Sequence, residues 1–285
     1  MAEEFNIISS IRYDPLLEAA YQNPDFPHAA WNSTHRSRHY MLDFHRDRLN
    51  RAATHWVWNT ARDTISGPGG LANLASIIDA AVQDAGAQDR AQAVRLELLR
   101  DGSLKAVLRD VGPATLEDLY PSEFATPALA PVTSAALTEV ALPSFTVHLD
   151  TCATEASPFT HYKTTKRDMY NAARGRLGIT AGDSAEVLIM NNRGEVMEGS
   201  ITTPFFWRGG RWVTPPIPAA YQDHLGAGGQ DGTTRRWALE QGFAVQDTVH
   251  VDSIQDGEVI WISNGARGFF KATVRREPLV ARATE

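Results

Sequence analysis

Apolar and polar positions along this chain follow two spacings, and the change from one to the other marks the elements. Phe5 to Arg12 alternates as a strand does and ends at the Asp14-Pro15 break, after which residues 14 to 37 are irregular. From Leu42 the period lengthens. Leu49, Ala52, Ala53, Trp56 and Val57 fall at i, i+3, i+4, i+7 and i+8, which predicts an amphipathic helix. A second helix is predicted from Leu71 to Val82, after the breaker Gly67-Pro-Gly-Gly70. Ala93 to Leu99 and Leu104 to Arg109, joined through Asp101-Gly102, predict a β-hairpin.

Residues 120 to 143 lose periodicity and are rich in Pro, Ala, Ser and Thr, which marks a linker between an N-terminal part, 1–119, and a C-terminal part, 144–285. Beyond it come a strand from Ser144 to Leu149, the amphipathic segment of Met169, Ala172, Ala173 and Leu177, and a strand from Ala185 to Met190. The turn Asn191-Asn-Arg-Gly194 then returns the chain toward Glu198-Gly-Ser-Ile-Thr-Thr-Pro-Phe205, a strong hairpin signal. Gly228-Gly-Gln-Asp-Gly232-Thr233-Thr234-Arg235 opens a helix to about Gln241. A last apolar strand, Val259 to Ile262, ends in Ser263-Asn264-Gly265-Ala-Arg267-Gly268.

Composition narrows the function classes. The 285 residues carry a net charge of -7, which argues against a general nucleic-acid or membrane-surface binder, since those need a basic footprint. Cys152 is the only cysteine, so neither an intrachain disulfide nor a cysteine metal cage can form. His35 and His39 lack a nearby acidic ligand, and no metal site is predicted. No stretch reaches the length of a membrane span and the N-terminus has no basic or apolar leader pattern, so a cytoplasmic location is expected.

Four features bear on chemistry. Only four lysines stand against 23 arginines, and Lys163 lies just before the amphipathic segment, where a helix N-terminus lowers an amine's pKa; the alternative is a solvated lysine on a charged turn. Glu198 stands at the exit of a hairpin, as a site carboxylate or as a cap for local N–H groups. The glycines before Thr233 and Thr234 make either an anion seat or a plain helix N-cap. Arg48 lies beside the apolar stripe of the first helix, as a ligand-binding or an exposed arginine. One small molecule would use all four. Pyridoxal phosphate needs an amine, a carboxylate opposite its ring nitrogen, and a cationic or N–H-rich seat for its phosphate.

With these residues in place, the chain resembles the fold-type IV pyridoxal-phosphate enzymes, or class IV aminotransferases, from about residue 6 to 275. Phe44-His45-Arg-Asp-Arg48-Leu49 is similar to that family's His-x-x-Arg-Leu segment, which implies that Arg48 binds cofactor phosphate. Lys163 matches the Schiff-base lysine, and Glu198 matches the Glu-Gly-x-x-x-Asn-x-Phe block, with Thr203 standing where asparagine is usual. Gly232-Thr-Thr-Arg235 is similar to the Gly-Ile-Thr-Arg motif, which implies phosphate contacts from Thr233 and Thr234, and Asn264 and Gly265 fall where the family closes that site. Arg167, four residues after Lys163, and Asn264 make the chain most similar to the aminodeoxychorismate lyases of the family, with an aminotransferase as the alternative.

The resemblance implies an α/β (α+β) fold of two domains with the cofactor at their interface, commonly a homodimer, acting in folate biosynthesis. It also implies a dicarboxylate amine as substrate. Arg12, Arg167, Arg267 and the nearby Tyr170 are its expected contacts.

Overall fold

The computed structural model describes residues 4–126 and 144–276. The N-terminal part runs β1 (Ile7–Tyr13), α1 (Ala30–Thr34), α2 (Leu42–His55), α3 (Asn59–Ile65), α4 (Gly67–Asp84), β2 (Gln92–Leu98), β3 (Leu104–Asp110) and α5 (Leu116–Leu119). The three strands form an antiparallel sheet in that order, with Ile7 opposite Leu98 and Leu98 opposite Leu104. Side chains of paired strands that share a face also share a fate. Ile7, Ile11 and Tyr13 join Val94, Leu96 and Leu98 against Leu49, Ala52 and Ala53 of α2 and Leu74, Ile78 and Val82 of α4.

The expected helices form with shifted ends. Gly67-Pro-Gly-Gly70 does not interrupt the chain but makes the first turn of α4, because proline needs no N–H there and its fixed φ suits the helix start. Val57 lies outside α2: it has φ 56° and is 70% exposed, so the apolar stripe ends at the cap residue Trp56. Residues 14–37, expected to be irregular, include a 3-10 turn over Pro15–Ala20, begun by the Asp14 carboxylate accepting from Leu16 N–H, and the short α1.

The C-terminal part runs β4 (Thr146–Leu149), α6 (Pro158–His161), α7 (Asp168–Arg176), β5 (Ala185–Met190), β6 (Val196–Gly199), β7 (Thr203–Arg208), β8 (Arg211–Thr214), α8 (Thr233–Glu240), β9 (Val245–Gln246), β10 (Val259–Asn264) and β11 (Gly268–Arg275). Its eight strands order as β6-β5-β4-β11-β10-β7-β8-β9. The hairpin expected around Asn191–Gly194 is the β5–β6 pair, with a register shift at Ile189/Met190. This mixed α/β architecture is the one the sequence led us to expect.

Of the expected linker, 120–143, residues 127–143 lie outside the described residues. Its first residues are core. Tyr120 and Phe124 are buried in a cluster that joins Leu17, Tyr40 and Phe44 to Phe205, Trp237 and Phe269, so the two parts share apolar packing.

They also share backbone. The outer edge of β1 would offer unpaired N–H and C=O groups, and the C-terminal part covers it. Ile8 N–H donates to Lys163 C=O at 2.9 Å, Thr165 N–H to Asn6 C=O at 2.9 Å, and Arg12 N–H to Gly265 C=O at 2.8 Å. The segment bearing Lys163 and the end of β10 are thereby fixed to one strand.

Candidate active site

Lys163 sits in this short extended stretch, with Thr164 bridged to Ile7, five residues before α7 begins at Asp168. The expected lowering of its pKa holds, but its cause differs from the helix start proposed on sequence. Burial, then the guanidiniums of Arg167 and Arg48, bring the amine down to about 7, against the attraction of Glu198 and Glu186. Lys163 is half-buried, unlike a fully solvated lysine on a turn.

Glu198 faces it from β6, 6% exposed. Burial pushes its carboxyl up to about 7, while a hydrogen bond from Tyr170 and the charge of Lys163 oppose the rise. It is not a cap for turn N–H groups. That role belongs to Glu186, which no sequence feature had singled out. The Glu186 carboxylate accepts from Ser200 N–H (3.1 Å), Ile201 N–H (3.1 Å) and Thr202 Oγ1 (2.7 Å), and also from the Ser200 hydroxyl. Gly199 lets it approach: a Cβ there would lie 2.9 Å from Glu186 Oε2. A lone carboxylate in the otherwise apolar run Ala185–Met190 was the available signal, because a buried charge needs such donors.

Arg48 projects from α2, and Ser9 on β1 accepts from its Nη2. Its Nε is buried without a hydrogen-bond partner, and burial beside Arg51 lowers its pKa to about 10. One turn back, His45 is fully buried between Ser9 Oγ (2.7 Å) and Thr233 Oγ1 (3.5 Å), and burial holds it neutral. His45 belongs to the quoted His-x-x-Arg-Leu segment but had been assigned no role.

α8 begins opposite, with Gly232 at the cap position and no side chain capping its first N–H groups. Thr233 and Thr234 are therefore the first helical residues, not N-caps, and both are buried. Ser263 Oγ donates to Thr234 Oγ1 at 2.8 Å. Gly265 closes the same corner, since a Cβ there would lie 2.7 Å from Ser10 O and 2.8 Å from His45 Cε1. The Asn264 side chain is turned to its own loop, accepting from Ala266 N–H (3.0 Å) and Arg267 N–H (2.9 Å).

Lys163, Arg48, Glu198, Thr233, Thr234 and Gly265 thus come together around the edge of β1. An uncapped helix start and an arginine nitrogen without a partner suit a dianionic phosphate. An amine and a carboxylate at the other end suit the ring of pyridoxal phosphate, so the donor set fits that cofactor.

The residues expected to bind substrate divide. Arg167 borders the site, with Nη2 donating to Ser200 C=O at 3.0 Å and its guanidinium over the Tyr170 ring. Tyr170 is 1% exposed and turned to Glu198, not to a substrate. Arg12 is 1% exposed and committed to structure: it is paired with Asp14 at 2.7 Å and donates to Ala266 C=O and Gly112 C=O. Arg267 is exposed and stacks against Phe270 and Phe145. Among the described residues no helix is long and apolar enough to cross a membrane, and no group of three His, Cys, Asp or Glu could hold a metal.

The chain is similar to known proteins. The family model described as amino-transferase class IV matches residues 32–273. The aminodeoxychorismate lyase of Saccharomyces cerevisiae is 30% identical over 136 residues, 42% of this chain and 34% of that protein. A Schizosaccharomyces pombe protein assigned to the same lyases is 30% identical over 129 residues, 44% of this chain and 52% of its own length. The matches thus span about a third and a half of those curated relatives. The solved structure of a Mesorhizobium loti protein assigned to the amino-acid aminotransferases superposes with TM-score 0.63 at 20% identity, covering 95% of this chain and 100% of that one.

Proposed function

Because the chain belongs to the class IV aminotransferases, we propose that it is a pyridoxal 5'-phosphate enzyme and, within the family, a 4-amino-4-deoxychorismate lyase. It would release 4-aminobenzoate and pyruvate. The observation that carries the reading is the convergence of Lys163, Glu198 and Arg48: Lys163 feels the charge of both others, and Arg48 that of Glu198. Support for the lyase comes from the two curated relatives and from Arg167, held beside Lys163. A homodimer in the cytoplasm, serving folate biosynthesis, belongs to the same proposal.

Bound in this site, pyridoxal phosphate supplies a carbonyl for the substrate amine and an electron sink for the carbon beside it. Arg48, the N–H groups opening α8, and Thr233 would hold the phosphate end. Glu198 would hold a proton on the ring nitrogen. Lys163, a good part of which is neutral near pH 7, would remove the proton from the amine-bearing carbon. The carbon–oxygen bond to the enolpyruvyl group then breaks, that group leaves as enolpyruvate and takes up a proton to become pyruvate, and the ring becomes aromatic.

Two cations are proposed for the substrate carboxylates. Arg167 is one. The other is Arg95, whose place follows from register: Ile8, bonded to the Lys163 carbonyl, lies opposite Glu97, and Ser10 lies opposite Arg95. Directly opposed residues present their side chains to one face. Arg95 therefore shares the face that begins at Lys163; its Nη2 is paired with Glu97, while its Nε is buried without a hydrogen-bond partner. Planar guanidiniums suit carboxylates.

The aminotransferase reading is favoured by the family description and by the aminotransferase assignment of a fold neighbour. An assay for pyruvate release from aminodeoxychorismate separates the two. Release with no keto acid added is the expected result, and strict dependence on an added keto acid would decide for transamination.

A further inference from the structure

The geometry points to Tyr170 and Gln230 as a donor relay that aims the Glu198 carboxylate and keeps it ionised, which makes Tyr170 a positioning residue for the reaction. The inference rests on the cofactor reading above but adds two residues that contact neither substrate nor phosphate in it.

Tyr170 lies on the inward face of α7, and its hydroxyl oxygen is 2.5 Å from Glu198 Oε1 and 3.2 Å from Thr160 C=O. A phenol has one proton to donate. The shorter contact is to the carboxylate, the stronger acceptor, so the proton goes to Glu198. Gln230 completes the relay. Its Nε2 donates to the Tyr170 oxygen at 3.1 Å, which strengthens the phenol as a donor. Gln230 sits in the glycine run ahead of α8, where Gly229 allows contact with β6: a Cβ there would lie 2.4 Å from Met197 O. Thr160 ties the same run to α6 through Oγ1 and Gly228 C=O at 2.7 Å. Three segments therefore fix one hydroxyl.

The charged and titratable groups facing Glu198 are Tyr170 and Arg167 from the α7 region, Lys163 from the β1 edge, Arg48 from α2 and Arg235 from α8. Burial drives the carboxyl toward its neutral form, and the Tyr170 hydrogen bond is the foremost effect opposing it. A neutral Glu198 cannot hold a proton on a ring nitrogen by charge. Removing the phenolic oxygen should thus raise the pH at which Glu198 ionises.

The test compares wild type, Tyr170→Phe and Gln230→Met in two pH titrations: the visible absorption of the cofactor-loaded protein, and the carboxyl carbon NMR signal of Glu198 in the cofactor-free full chain. Tyr170→Phe should move both midpoints upward by about one pH unit, the scale of one hydrogen bond to a charged group. Gln230→Met should move them the same way by less, and it carries the test if Tyr170→Phe does not fold. Midpoints that stay at the wild-type value in a folded variant would overturn the relay, even if turnover fell. A shifted NMR midpoint in a protein that takes up no cofactor would leave the relay standing and remove the proposed function instead.

Discussion

Replacing Lys163 with alanine is expected to lower turnover by at least about 10³-fold, the scale of losing a positioned proton-transfer group, without unfolding the protein. No other lysine can substitute. Lys105 is on β3, Lys166 lies over the ring of Phe159, and Lys271, on β11, lies over Trp261. The cofactor-free variant should also be more stable, by about 1–2 kcal/mol, because a buried amine crowded by Arg48 and Arg167 is removed. The sign has a pH signature. Lys163 titrates near 7 in the folded chain and near its ordinary 10.5 unfolded, so the cost of its charge is full below pH 7 and fades between 7 and 10.5. Thermal unfolding of both proteins should show the largest gain below pH 7. A variant that keeps normal turnover would remove Lys163 from the chemistry.

Glu198→Gln is the complementary case. Glutamine keeps the shape and loses the charge, so turnover should fall by about 10²- to 10³-fold, the cost of removing one charge-stabilising group from a dry site. Cofactor should still bind, since Arg48, Thr233 and Lys163 are untouched. The stability effect should have the opposite pH dependence. Glu198 ionises near 7 in the folded chain and near 4.5 unfolded, so its burden is absent below pH 4.5, grows between 4.5 and 7 and is full above 7. Glu198→Gln should therefore stabilise the cofactor-free protein most above pH 7, where Lys163→Ala gains less. Parallel pH profiles for the two variants would contradict this assignment of opposing burdens.

Much of this site was legible in the sequence, for reasons that are themselves physical. Scarce lysines, a Gly-Thr-Thr helix start and a hairpin glutamate are local patterns. Each survives folding because a turn, a cap or a strand end depends on neighbours in the chain. What escaped depends on contacts between distant segments. Arg12 reads as a free cation at a strand end, yet its guanidinium is used by carbonyls 100 and 254 residues away. Tyr170 reads as a substrate contact until Glu198, 28 residues on, is seen to accept its hydrogen bond. Arg95 becomes a candidate only through register with Ser10, and Glu186 only through the turn it holds. Strand and helix types were likewise legible, whereas Gly67-Pro-Gly-Gly70 misled because the same residues that break a helix inside can begin one at its end.

Borohydride reduction of the cofactor-loaded protein followed by peptide mapping tests the convergence of amine, carboxylate and phosphate seat most directly. The chain offers four lysines, Lys105, Lys163, Lys166 and Lys271, as possible points of attachment. A pyridoxyl group on Lys163 alone is the predicted result. Label on another lysine, or none on Lys163 in protein that has taken up cofactor, would contradict the account.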